Sequence, residues 1–218
     1  MDRLKASLGN FLRTLGDLMA LNLLWLVCSL PVVTVGPASS ALCSVLLKLT
    51  RDEPVSTLAG FFAGFKSEIK KSLVLGLLGI AGLVIAGVDF YFAVSQTGTM
   101  RTLYFVVAVI VSALVLSYWA WAFALHAGYE NTIGATIKNA LSLAFVEPKK
   151  TVLIWIGFAV PVVCFLFLPE LVNIYLGWAY LLFAVSAPAW FAARQQVRVF
   201  ARFDEETPAD GVEADAET

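Results

Sequence analysis

Residues 73–94 and 100–125 form two nearly unbroken apolar runs, joined only by the short polar turn Ser95-Gln96-Thr97-Gly98-Thr99. As helices, both are long enough to cross a hydrocarbon layer of about 30 Å. Inside that layer no water is present to bond exposed peptide groups, so each segment must satisfy its own, as a helix does. The two runs therefore predict a transmembrane helical hairpin. Composition extends the conclusion to the rest of the chain. Of its 218 residues 60% are hydrophobic and only 14% charged, which is more apolar surface than a soluble domain of this length can bury. The sequence predicts an all-α, polytopic helical membrane protein.

The pattern divides residues 1–203 into three helical hairpins, each preceded by an amphipathic surface helix. In 3–15, Leu4, Leu8, Phe11, Leu12 and Leu15 share one helical face, with Arg3, Lys5, Asn10 and Arg13 elsewhere, the pattern of a helix lying in an interface. A hairpin follows at 18–50, its arms separated by Pro31, Gly36 and Pro37. Each arm has about twelve residues, roughly 18 Å of helix, so this hairpin is expected to be short or re-entrant. The rival arrangement is one span from 16 to 36 followed by an interfacial helix. Charge weighs the two. A hairpin leaves fourteen of the fifteen Lys and Arg residues on one side, with Arg101 alone opposite, whereas a single first span divides them eleven to four. The tendency of basic residues to stay cytoplasmic prefers the hairpin and puts both termini in the cytoplasm.

The second unit is expected as a surface helix at 55–71, carrying Leu58, Phe61, Phe62, Phe65 and Ile69 on one face, and a hairpin at 73–126. The third is a surface helix at 131–146 and a hairpin at 151–193 that turns at Pro169-Glu170. Lys70-Lys71-Ser72 and Lys149-Lys150-Thr151 stand at equivalent points of these two units, which motivates a reading as three parallel repeats. Residues 204–218 carry seven of the sixteen acidic residues and no aromatic residue. They are expected as a disordered cytoplasmic tail. Up to Phe203 the count is fifteen basic against nine acidic, an excess that suits an anionic leaflet and, scattered between apolar spans, excludes a nucleic-acid surface.

Chemistry-bearing motifs are sparse. Cys28, Cys43, Cys164 and the single His126 have no metal- or haem-binding spacing. No Walker loop, HExxH, GxSxG or paired intramembrane carboxylate is present. The reading is therefore non-enzymatic, with no cofactor. The N-terminus has no small-residue cleavage site before the first apolar run, which is expected to be retained. Candidate functional residues are Asn22, Pro31, Thr34, Gly36, Pro37 and Asp89. Asn22 is an amide near the start of the first span, suited to interhelical hydrogen bonding or to a substrate. Pro31, Gly36 and Pro37 free backbone groups at membrane depth, either as a tight turn or as a lining like that of transporters, with Thr34 between them. Asp89 lies about six residues from the outer end of its run, where it either reaches the interface or serves as a titratable group.

Other features read as packing. Gly79, Gly82 and Ala86 let a neighbouring helix approach. Pro161 and Pro188 are expected to kink the arms of the third hairpin. Trp119, Trp121, Trp155 and Trp190, with Tyr91 and Tyr175, are expected as interfacial anchors.

The strings Asn22-Leu23-Leu24-Trp25-Leu26, Leu30-Pro31-Val32-Val33-Thr34, Gly36-Pro37-Ala38, Leu46-Leu47-Lys48-Leu49 and Arg51-Asp52-Glu53, with Phe61-Phe62 and Phe65-Lys66, resemble the YesL family of bacterial membrane proteins. The resemblance is specific over residues 11–71 and general over 72–202. It implies an inner-membrane protein of unestablished biochemistry, often encoded beside carbohydrate importers and glycan-degrading enzymes, and no family active site to carry over. Two functions are expected on this basis: an accessory or scaffold component bound to carbohydrate importer subunits, or a small secondary transporter or channel with its site at the broken first hairpin. In both, the lipid bilayer is the immediate partner.

Overall fold

A computed structural model describes residues 2–67 and 69–206. Among the described residues there are nine α-helices, one short 3-10 turn and no strand. In chain order these are α1 (Asp2–Cys28), the turn Val32–Thr34, α2 (Val35–Thr50), α3 (Thr57–Lys66), α4 (Ile69–Ser95), α5 (Gly98–Gly128), α6 (Ile133–Val146), α7 (Pro148–Phe167), α8 (Glu170–Phe183) and α9 (Ser186–Glu206). Five helices are long and apolar enough to cross a membrane, and the bent pair α8–α9 makes a sixth if counted as one span. The chain is an all-α, polytopic membrane protein.

The helix at the centre is α2, which packs against α1, α3, α4, α5 and α9. Its sequence explains this position. Lipid tails are as apolar as leucine, so helices in a membrane associate through close packing rather than through expulsion of water. The small residues Gly36, Ala38, Ser39, Ser40 and Ala41 are all buried and let neighbours approach on several sides. A Cβ added to Gly64 of α3 would meet Ala41 Cα at 3.2 Å, so α3 also crosses close to the α2 backbone. At its end α2 closes with Asp52 in the left-handed region (φ 55°), while Glu53 N donates to Lys48 O at 3.0 Å and Asp52 N to Leu49 O at 3.4 Å. This is the paired-bond helix stop that glycine usually occupies.

Element directions show how far the first hairpin reaches. Near its start, α2 touches the first two turns of α4 through Gly36, which faces the Ser72 carbonyl and Gly76. Near its end, Leu47 lies beside Gly128 at the close of α5. From Gly76, α4 rises about 28 Å further to Ser95. The first hairpin therefore stops well short of the α4–α5 hairpin, and its turn presents exposed Leu30, Val32 and Val33.

Several boundaries differ from the sequence reading. The surface helix at 3–15 and the first arm from 18 are one continuous helix, α1, because no proline interrupts them and a single Gly16 costs only about 1 kcal/mol relative to alanine. The second surface helix ends at Lys66 rather than 71, and α4 begins at Ile69. The helix following Pro169 is split into α8 and α9, inclined by 49°. Pro188 supplies the reason: its ring displaces the carbonyl four residues earlier, that of Ala184, where α8 ends. Pro161, expected to act similarly, stays within the unbroken α7. Helix α9 continues through Glu206, three residues into the expected tail, and residues 207–218 lie outside the described residues. The packing of the three segments differs: α4 and α5 pair closely after α3, whereas after α6 the helix α7 packs on α9 and α8 packs on α1.

Candidate functional site

Asn22 is fully buried and inserts its carboxamide into the α8–α9 break. Its Nδ2 donates to Leu181 O at 2.8 Å. Its Oδ1 accepts from Val185 N at 2.9 Å and Ser186 N at 3.0 Å. In a continuous helix Val185 N–H would bond Leu181 O directly, four residues back. The side-chain amide takes the place of that bond and acts as an extra peptide group in the ladder, one of the recognised causes of a helix kink.

The break between α1 and α2 is likewise closed from within. Thr34 Oγ1 lies 2.6 Å from Cys28 O, a carbonyl at the end of α1, and 2.6 Å from Pro31 O within the turn. Ser29 N donates to Trp25 O and Thr34 N to Pro31 O. Pro31 itself is exposed at the start of the 3-10 turn. Gly36 and Pro37 do not form the break. They are buried inside the first turn of α2, Pro37 where a helix needs no N–H and Gly36 where only a residue without a side chain fits against α4.

Asp89 is half-buried on the face of α4 that also carries Ala86 and Ala93, and it has no ion pair among the described residues. Thirteen residues separate it from Gly76, or about 20 Å of helix. The six candidate residues therefore do not form one site. Thr34 and Pro31 close a turn, Gly36 and Pro37 pack, Asn22 bridges a break on another helix pair, and Asp89 stands apart. Among the described residues no group of three His, Cys, Asp or Glu side chains is placed to hold a metal ion.

The sequence reading missed other polar contacts. Trp121, expected as an interfacial anchor, is fully buried and donates through Nε1 to Thr151 Oγ1 at 3.0 Å. It is held there because α7 starts directly over this face of α5. Thr151 in turn lies 3.1 Å from Glu147 O. Gln196 Nε2 donates to Ala120 O at 2.6 Å, tying α9 to α5. Glu147 also pairs with Arg202 at 3.0 Å and Lys150 at 3.5 Å. The signal for Thr151 was its place after the second basic pair; Gln196 had none beyond its polarity. The glycine reading holds: Gly79 abuts the Trp119 ring and Gly82 abuts Val115 across the α4–α5 hairpin.

A cavity of about 640 Å³ opens among the end of α5, α6 and the last turns of α9. A second, apolar groove of about 420 Å³ runs between α7 and α9 beside Pro161 and Pro188. Neither involves the first-hairpin break.

Set beside this geometry, one family model matches: Protein of unknown function, DUF624, over residues 18–90. YesL proteins belong to that family. The matched stretch covers the apolar part of α1, the turn, α2, α3 and most of α4, which includes Asn22, Thr34, Gly36 and Gly76. No curated protein and no solved structure matches the chain.

Proposed function

We propose that this protein is a non-enzymatic, multi-pass component of the bacterial inner membrane, with both termini cytoplasmic, that serves carbohydrate uptake as an accessory or scaffold. The observation that carries the reading is the engagement of the polar groups at the broken first hairpin. Asn22 and Thr34, the side chains a substrate would need there, bond the protein's own backbone. The link to carbohydrate import rests on the resemblance to YesL proteins. Extraction in mild detergent followed by affinity purification tests it: the expected result is recovery of importer subunits in a fixed ratio, and their absence overturns the reading.

Asp89 favours the second reading, a small secondary transporter, because a half-buried carboxylate within a spanning helix is by default a functional group. Solute flux into liposomes that contain this protein alone, abolished by Asp89→Asn, would support it over the first.

A further inference from the structure

The cavity at the end of α5 has the lining of an amphiphile site. Its floor is formed by Leu125, Leu143 and Phe200, all buried. Its mouth carries Asn131, Asn139 and Ser142, none of which makes a side-chain hydrogen bond among the described residues. Val146 and Phe203, exposed at 65% and 42%, form an apolar lip. A volume of about 640 Å³ is ample for part of a lipid, since small-molecule sites commonly enclose roughly 300–1,000 Å³.

An ion-pair cluster lies beside the lip. Glu147 follows Val146 and Arg202 precedes Phe203, and these two side chains meet at 3.0 Å. Lys150 Nζ lies 3.5 Å from the other Glu147 oxygen and is buried with no hydrogen-bond partner. One carboxylate faces two cations in this cluster, while Glu130 adjoins Asn131 and Asp204, Glu205 and Glu206 follow Phe203 in sequence. Lys138 and Lys149, adjacent in sequence to Asn139 and Lys150, are exposed and have no ion pair among the described residues.

We propose that this cavity holds one anionic phospholipid, its acyl chain on the Leu125–Leu143–Phe200 floor and its phosphate at the exposed Arg202 guanidinium beside the Phe203 lip. A soluble anion has no use for the apolar floor. The chain's own residues 207–218 bring one valine and no larger apolar side chain to fill it. Phe145, Val146 and Phe203 are exposed, as apolar residues are on a surface at the boundary between headgroups and acyl chains, where basic pockets between helices bind anionic headgroups. The inference rests on membrane residence alone, so the recovery or absence of importer subunits does not bear on it.

The full chain, purified in mild detergent and titrated separately with phosphatidylglycerol and phosphatidylcholine, is read by native mass spectrometry. Wild type is expected to retain one phosphatidylglycerol and not phosphatidylcholine. Arg202→Gln should lower retention about fivefold, the effect of one cation near a headgroup, and Ser142→Trp, which blocks the mouth without changing charge, should abolish it. Both positions are exposed, so both variants are expected to melt with wild type; if Ser142→Trp melts lower, Arg202→Gln decides. Equal retention of the two lipids, or unchanged retention in Arg202→Gln, overturns the proposal. So does phosphatidylglycerol binding that appears only once residues 207–218 are deleted, which would make the tail the occupant.

Discussion

Gly36 and Gly76 meet backbone to backbone: a Cβ built on Gly76 would lie 2.6 Å from Gly36 Cα, and one built on Gly36 would lie 2.8 Å from Gly76 Cα. The crossing of α2 over α4 is thus set by two residues that share no hydrogen bond and contribute only the absence of side chains. Because the contacts are backbone atoms, no rotamer change relieves a substitution there.

Gly76→Ala is expected to destabilise the protein by about 1–3 kcal/mol, the usual effect of overpacking. Thermal melting in detergent, followed by tryptophan fluorescence, reads the change. Gly87→Ala is the control, since a Cβ there meets nothing within 4 Å and alanine favours the helix by about 1 kcal/mol. A Gly76→Ala protein that melts with wild type would mean the two helices do not cross at this point.

Asn22→Leu removes the partners of Val185 N, Ser186 N and Leu181 O. The expected loss is about 2 kcal/mol or more, given roughly 1–3 kcal/mol for each buried group left unpaired. Pro188→Ala in the same chain should recover part of it, because α8 and α9 can then join and Val185 N–H can bond Leu181 O. Coupling of about 1 kcal/mol in the double-mutant cycle is expected, and strict additivity would contradict the inserted-amide geometry.

Thr151→Val leaves the Trp121 indole N–H buried without an acceptor and should destabilise by about 1–3 kcal/mol. Thr151→Ser keeps the hydroxyl and should stay close to wild type. A loss in Thr151→Ser with none in Thr151→Val would show that the methyl group, not the hydrogen bond, is what matters.

Asp52→Gly should stabilise the end of α2 by up to about 1 kcal/mol, since glycine adopts the left-handed conformation without the crowding of a Cβ. A lower melting temperature would show that the aspartate side chain has a role of its own.

Reporter fusions or cysteine accessibility at Met1 and Thr218 address topology. Both ends are expected on the cytoplasmic side, and an external N-terminus would require the first hairpin to be a single span.

Much of the helix order was legible because apolar periodicity is local. The spans α4 and α5, the amphipathic α6, and the small-residue stripe at Gly79 and Gly82 all follow from neighbours in sequence. The continuity of α1 was not, because an amphipathic stretch and an apolar one look like two elements when nothing marks their junction. Pro188 announced a kink, but the position of the break depends on a carbonyl four residues upstream, and its capping on Asn22, more than 150 residues away. The role of Asn22 as interhelical glue could be posed from its residue type; its partners could not. Trp121 was misread because whether a tryptophan lies in a belt or a core depends on what packs over it, here the start of α7.

The short first hairpin gives the molecule an uneven profile. On the side of its short hairpin, α2 packs among α1, α3, α4, α5 and α9, and beyond Gly76 the α4–α5 pair continues about 28 Å with α1 and α2 already turned back. Such a body displaces more lipid area from one leaflet than from the other and is a wedge rather than a cylinder. A wedge relieves bending stress where the membrane curves to match it, so the protein is expected to partition unequally between small and large vesicles of the same composition, and an even distribution would show that surrounding lipid fills the taper.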